Sequence, residues 1–175
     1  MYADLRDFLR HLETVGKLRH VAKEVDKDWE LGCIARWVFQ AVPDGERYAL
    51  MFDRIKGYDT PLVVGVAAGS RSIYAEGLGV KPDQIYDTWV RALSQPILPR
   101  EVQDGPVKEV IRLGNDVDLD ELPIAVWTPG KDAAPYLTAN CVITRDPDDS
   151  SYNIGNYRNL LEKHPTGNLV IRPYR

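Results

Sequence analysis

The sequence predicts an α+β chain in two successive parts, a mixed α/β part followed by a part built of strands. Three observations carry this. Apolar residues recur at helical spacing in several stretches before residue 94, and short apolar runs lie between those stretches. In "SQPILPREVQDGP", residues 94–106, Pro96, Pro99 and Pro106 exclude a regular helix. Beyond it, strand-like runs alternate with polar turns. The boundary falls in this stretch, giving an N-terminal domain over 1–105 and a second domain over 106–175.

The first helix is capped by Asp4, carries Leu5, Phe8, Leu9, Leu12 and Val15 at helical spacing, and stops at Gly16. "KLRHVAKEV" is a short strand. Asp28 opens a second helix with Leu31, Ile34, Ala35, Val38 and Phe39 on one face, closed by Pro43 and Gly45. "RYALMF" is a compact strand, "IKGYDTP" a turn, and "LVVGVAA" a continuous apolar run expected of a strand covered on both faces. Ser70 begins a helix that ends near Gly79. Pro82 stands in the first turn of the next helix, which carries Ile85, Trp89, Val90 and Leu93. In the second part "VKEVIRL" alternates as a strand should and "LTANCVITR" is a further strand. "DPDDSS" is a polar loop, and "SYNIGNYRNLL" and "NLVIRPYR" are the strands that follow.

The bulk properties narrow the function. The 175 residues include 22 basic and 26 acidic side chains, a net charge of −4, which argues against a nucleic-acid footprint. Hydrophobic residues at 44% and charged residues at 27% are ordinary for a globular chain. No apolar run is long enough to span a bilayer, and the charged N-terminus does not resemble a secretory signal. Cys33 and Cys141 are read as buried thiols of a reducing compartment, with the cytoplasm as the expected location. His11, His20 and His164 show no metal-ligand spacing and are read as structural. Neither a phosphate loop nor a nucleophile elbow is present.

The candidate chemistry lies in "YNIGNYR", Tyr152–Arg158. In a regular strand Asn153 and Arg158, five residues apart, point to opposite faces. A bulge at Gly155 would bring them to one side. The intervening strand reaches about 16 Å, roughly the span from a nucleotide phosphate to the reacting end of a flavin. Asn153 is then placed for a phosphate or its metal, and Arg158, whose planar fork matches a carboxylate, for an anionic substrate group.

An ordered series of motifs resembles the UbiD-type decarboxylases. It comprises Leu122-Pro123, Trp127 and Pro129, then Asp132-Ala133-Ala134-Pro135-Tyr136-Leu137-Thr138. Thr144-Arg145-Asp146-Pro147 follows, and then Asn153-Ile154-Gly155-Asn156-Tyr157-Arg158. "DLRDFLRHLETVGKLRHVAKEVD" and "ALMFDRIKGYDTPLVVGVAAGSR" are similar to the family's N-terminal segments, so the resemblance spans essentially the whole chain. Each piece is weak alone, and the series in order is specific.

The resemblance implies that the second domain is the beginning of a split β-barrel of the flavin-reductase kind, incomplete in this chain. It implies prenylated FMN as cofactor, held through a divalent metal (Mn2+ or Mg2+, with K+ as a further ion). The substrate would be an aromatic or unsaturated carboxylate that is reversibly decarboxylated. Asn153 would ligate the metal. Asn156, Tyr157 and Arg158 would line the cofactor, as would Arg172, Pro173 and Tyr174 of "LVIRP" and its continuation. Arg158 would be catalytic, beside the substrate carboxylate and paired with an acid. A flavin prenyltransferase would supply the cofactor, and a like copy or a complementing subunit would be the protein partner. The family's remaining metal ligands and catalytic acid have no counterpart here, so the chain is expected to be a truncation or a subunit, inactive alone. Glu162, in the "EKHPTG" turn, takes none of those roles. Two other readings are a non-catalytic N-terminal module for binding or assembly, and a flavin reductase on a related split barrel. The Asn153–Arg158 series and the α/β part ahead of it weigh against the latter.

Overall fold

The structure is a computed structural model that describes residues 2–97, 99–149, 151–163 and 169–173, with Lys163 and the last stretch described by backbone alone. His164 and Tyr174 lie outside the described residues. The architecture is α+β. The chain forms two compact units that are not a single cut along the sequence. One contains Met1–Val21, Trp37–Met51 and Val63–Asp118, the other Ala22–Arg36, Phe52–Leu62 and Leu119–Arg175. No described helix is long and apolar enough to cross a membrane.

In the first unit, helix α1 (Leu5–Thr14) starts where Asp4 accepts the Asp7 N–H at 2.8 Å and ends before Gly16, whose φ of 70° is the left-handed stop. Strands β1 (Leu18–Val21), β2 (Ala49–Phe52) and β3 (Leu62–Val64) form a sheet in that order. Helix α3 (Arg71–Leu78) is capped by Ser70, whose hydroxyl accepts the Ile73 N–H, and closed by left-handed Gly79. Leu12 of α1, Ile73 of α3, and Leu18 and Ala49 of the sheet make the core, with Phe8, Leu9, Met51, Val63 and Val66 packed around them. His11 meets Glu76 at 2.6 Å, and Tyr2 packs on Phe8 and His11 while its hydroxyl donates to the Glu76 carbonyl.

Several expectations are corrected. The "LVVGVAA" strand is only β3, half-buried rather than covered on both faces. It stops at Gly65, whose φ of 84° and closeness to the Phe39 ring leave no space for a side chain. Helix α4 (Ile85–Ser94) forms, but Trp89, Val90 and Leu93 remain exposed. "VKEVIRL" is not a strand. A turn of 3-10 helix covers Pro106–Lys108, and Val107, Val110, Ile111 and Leu113 are exposed. Alternation makes a strand only where a second strand takes its hydrogen bonds, and no strand pairs with this segment among the described residues.

Helix α2 (Glu30–Ala41), which belongs to the second unit as far as Arg36 and to the first from Trp37, turns Leu31, Ala35 and Val38 inward, as the sequence predicts. Its entry is capped by Asp26 rather than Asp28. The Asp26 carboxylate accepts the N–H groups of Asp28 and Trp29. Asp28 reaches instead to the Val126 N–H at 2.9 Å. Gly32 lets the backbone of Trp127 come close, since a Cβ there would lie 2.9 Å from the Trp127 carbonyl oxygen. Val25 bridges Ile55 in parallel, and both are buried.

Strands β4 (Tyr136–Leu137), β7 (Asn159–Lys163) and β8 (Leu169–Pro173) form an antiparallel sheet in the order β4–β7–β8, while β5 (Cys141–Arg145) and β6 (Tyr152–Asn156) pair only with each other. "LTANCVITR" and "SYNIGNYRNLL", expected as single strands, are therefore each broken in two. Glu162 lies in β7, not in a turn. Both cysteines are exposed, against expectation. Cys33 points away from the Leu31–Ala35–Val38 face of α2, and Cys141 sits in the two-stranded ribbon.

Candidate functional site

The site is built around the break between β6 and β7. The β5–β6 ladder is regular from Arg145 opposite Tyr152, through Val142 opposite Gly155, to Cys141 opposite Asn156. The expected bulge at Gly155 is absent. Asn153 and Arg158 do not share a strand, because Tyr157 and Arg158 form the connection to β7. Gly155 serves another purpose. A Cβ there would collide with the ring of Tyr157, so the glycine makes room for that ring to fold back over β6. Residues 153 and 155 share a face, so Tyr157 comes to the side of the strand that carries Asn153, and Asn156 faces the other side.

Arg158 is held on several sides. Its guanidinium carbon lies 3.9 Å above the centre of the Tyr136 ring, a cation–π geometry against a buried aromatic. Its Nη2 donates to Asp132 Oδ1 at 2.8 Å. Its Nε is buried and has no acceptor among the described residues. The Arg158 side chain keeps 38% of its surface exposed and that of Asp132 only 11%.

The groups that hold Arg158 are themselves fixed. The Asp132 Oδ2 accepts the Thr128 N–H at 2.8 Å, and the Asp132 N–H donates to the Thr128 carbonyl, closing a turn around Gly130 with φ 81°. The Trp127 indole donates to the Tyr136 carbonyl at 3.1 Å, and the Tyr136 N–H donates to Ala125. With the Asn140 amide oriented to suit its neighbours, its Nδ2 donates to the carbonyls of Leu137 and Tyr157, and its Oδ1 accepts from the buried Asn159.

The remaining candidates are placed by register. Asn153 lies opposite Thr144 and Asn156 opposite Cys141, both exposed. In β8, Arg172 lies opposite Leu160, which also pairs with Tyr136. Pro173 lies opposite Asn159, the residue after Arg158. A separate cavity of about 350 Å³ in the same unit is lined by Lys27, Tyr58, Leu122, Ile124, Pro135 and Leu161, and none of the candidate residues lines it. No group of three His, Cys, Asp or Glu placed for a metal occurs among the described residues.

Asp132, Tyr136 and Asn140 are the site residues that sequence reasoning gave no role. Asp132 and Tyr136 stood inside a quoted motif, but nothing in local spacing links them to an arginine in a later strand connection. Chemically, the arrangement offers a fixed, partly exposed cation, suited to a planar anion.

Comparison with known proteins follows the same lines. Residues 9–93 match the 3-octaprenyl-4-hydroxybenzoate carboxy-lyase N-terminal domain, and residues 100–173 match the Rift-related domain of that carboxy-lyase. An evolved dimeric form of the UbiD-class enzyme HmfF from Pelotomaculum thermopropionicum, in complex with prFMN, is 37% identical. That match has a TM-score of 0.79 and covers 97% of this chain and 38% of that one. The closed form of Sedimentibacter hydroxybenzoicus vanillic acid decarboxylase is 31% identical, with a TM-score of 0.81, over 93% of this chain and 36% of its own. Apo Klebsiella pneumoniae 3,4-dihydroxybenzoic acid decarboxylase is 30% identical, with a TM-score of 0.78, over 91% and 35%. This chain thus spans well under half the length of each. With both of its parts matched in order and its fold shared with these enzymes, the chain belongs to the UbiD family.

Proposed function

We propose that the chain is part of a UbiD-type carboxy-lyase that reversibly decarboxylates an aromatic or α,β-unsaturated carboxylic acid with prenylated FMN. The observation that carries this reading is Arg158, a cation fixed on Tyr136 and Asp132 whose side chain remains 38% exposed. The similar enzymes include two named for decarboxylating aromatic acids and one bound to prFMN. The buried Nε of Arg158, without an acceptor among the described residues, fits an anionic group at this position.

When bound, the cofactor supplies the electron sink that lets the bond to the carboxylate carbon break. Arg158 holds the carboxylate through paired hydrogen bonds until it leaves as carbon dioxide, and an acidic group delivers the proton that replaces it. Asn153 would be one ligand of a Mn2+ or Mg2+, its other donors supplied from outside the described residues, with K+ as a further ion. Asn156, Tyr157, Arg172 and Pro173 would contribute to holding the cofactor. Because β6 is regular, Asn153 and Asn156 serve different groups of the ligand. The division into 1–105 and 106–175 describes two functional parts, of which the second carries the chemistry. Assembly with a like or complementing subunit is supported by the dimeric form of HmfF. A cytoplasmic location, with a flavin prenyltransferase as cofactor supplier, completes the reading.

Carboxylate exchange tests it. The chain is expected to be inactive alone, whereas the complete enzyme that contains it, produced together with a flavin prenyltransferase, is expected to carry a flavin absorbance and a divalent metal, and to incorporate labelled bicarbonate into an aromatic acid. Arg158→Ala should keep the flavin and lose about 10²-fold or more of the exchange rate. Near-normal exchange in that variant would refute the role of Arg158, and a colourless wild-type protein would refute the cofactor.

A further inference from the structure

We propose that Asp132 is the positioning residue of this site, holding the Arg158 guanidinium on the Tyr136 ring so that one edge is committed and another is presented to the ligand. The inference rests on the reading of Arg158 as a carboxylate-binding cation and extends it to the group that aims the cation.

Asp132 divides its two oxygens between two tasks. One accepts the Thr128 N–H, which ties the carboxylate to its own turn. The other takes Nη2 of Arg158 at 2.8 Å. The carboxylate therefore cannot follow the arginine if the arginine moves. Tyr136 adds a flat support beneath the guanidinium, and the Trp127 indole pins the Tyr136 backbone. On the chain side, Asn140 holds the carbonyl of Tyr157, so the peptide leading into Arg158 is fixed as well. A long, flexible side chain is thus restrained at both ends before any ligand arrives, and its ordering is not charged to the binding step.

The charge balance gives this role a signature. Asp132 offsets the positive charge of Arg158, so removing it increases the general pull on anions while loosening the direction of the donors. A residue that served only to attract the ligand would show the opposite pattern. In Asp132→Asn, which keeps an oxygen for the Thr128 N–H, the affinity for a carboxylate should hold or rise. The decarboxylation rate at saturation should fall about 10- to 100-fold.

The direct test is nuclear magnetic resonance of the protein labelled with ¹⁵N-arginine, with the Arg158 signals assigned by their loss in Arg158→Lys. In the wild type the Arg158 Nη protons are expected to be separately resolved and slow to exchange, unlike those of exposed Arg10. In Asp132→Asn they should average, and Asp132→Glu should recover part of the restriction. Thr128 amide and Trp127 indole signals report whether the turn survives. Wild-type Arg158 signals as mobile as those of Arg10, or an Asp132→Asn variant with undiminished restriction, would overturn the proposal, and the wild-type measurement decides even if the variants fail to fold. Titration with benzoate separates this inference from the one beneath it. Restricted Arg158 signals that ignore benzoate would support the positioning by Asp132 while counting against carboxylate binding.

Discussion

The two ends of the Asn153–Arg158 segment are held in different ways. Asn153 sits in a two-stranded ribbon whose Ile143 and Ile154 are 63% and 66% exposed, so little but the ladder of backbone hydrogen bonds orders it. Arg158, just beyond the end of the same strand, rests on a buried aromatic ring and a nearly buried carboxylate that other segments fix in turn. One short motif therefore contains a cation aimed by packing and an amide aimed only by register. The difference teaches that the arginine end is pre-organised by packing in this chain, whereas the amide end is ordered by its backbone ladder alone.

The largest expected effect breaks the packed end. Tyr136→Ala removes a buried aromatic on which Arg158 rests, and should destabilise the protein by about 3–5 kcal/mol in denaturant unfolding. A loss under about 1 kcal/mol would mean that the ring is not part of a packed layer. Next is the joint between the two ends. Gly155→Ala puts a methyl where the Tyr157 ring lies, and because that ring is 44% exposed it can swing aside, so the cost should stay under about 1 kcal/mol. The Tyr157 ring signals should move while those of Asn153 stay put. Unchanged Tyr157 signals would show that the ring does not lie over the glycine.

The ribbon end should be far more tolerant. Ile154→Thr on its exposed face is expected to change stability by no more than about 0.5 kcal/mol. A larger loss would reveal that the ribbon face is covered in solution. The smallest effect comes from a second side chain held by packing, Tyr2. Burial raises the pKa of its phenol, with Glu76 and Asp7 adding to the shift. Because the folded value lies above the unfolded one, the contribution of Tyr2 is complete below the ordinary tyrosine range near 10 and fades as pH rises through the raised value. Tyr2→Phe should flatten that alkaline part of the stability profile, and an unchanged slope would contradict the packing of Tyr2.

Helix ends were legible because their causes are local. Asp4 with Asp7, Gly16, Ser70 with Ile73, and Gly79 each act within a few residues, and the structure uses them as the sequence suggests. The second helix shows the limit of that method. Asp26 and Asp28 are both good caps by composition; Asp26 caps, while the Asp28 carboxylate is taken by the distant Val126 N–H and the Lys27 ammonium. Strands were harder. "VKEVIRL" has the period of a strand and no partner among the described residues, while "SYNIGNYRNLL" is a single run of strand-formers that the fold divides between two sheets.

By itself, then, the sequence determined the helices, the caps of the first and third, the α+β class and the family, since these depend on period, local hydrogen bonds and the order of motifs. Tertiary structure alone decided that Gly155 makes room for a ring instead of a bulge, that the cysteines stay exposed, and that Asp132, Tyr136 and Asn140 aim the arginine. The reason is physical. Sheet pairing, burial and ion pairs join residues distant in the chain, and no local pattern records which of several chemically suitable partners will arrive.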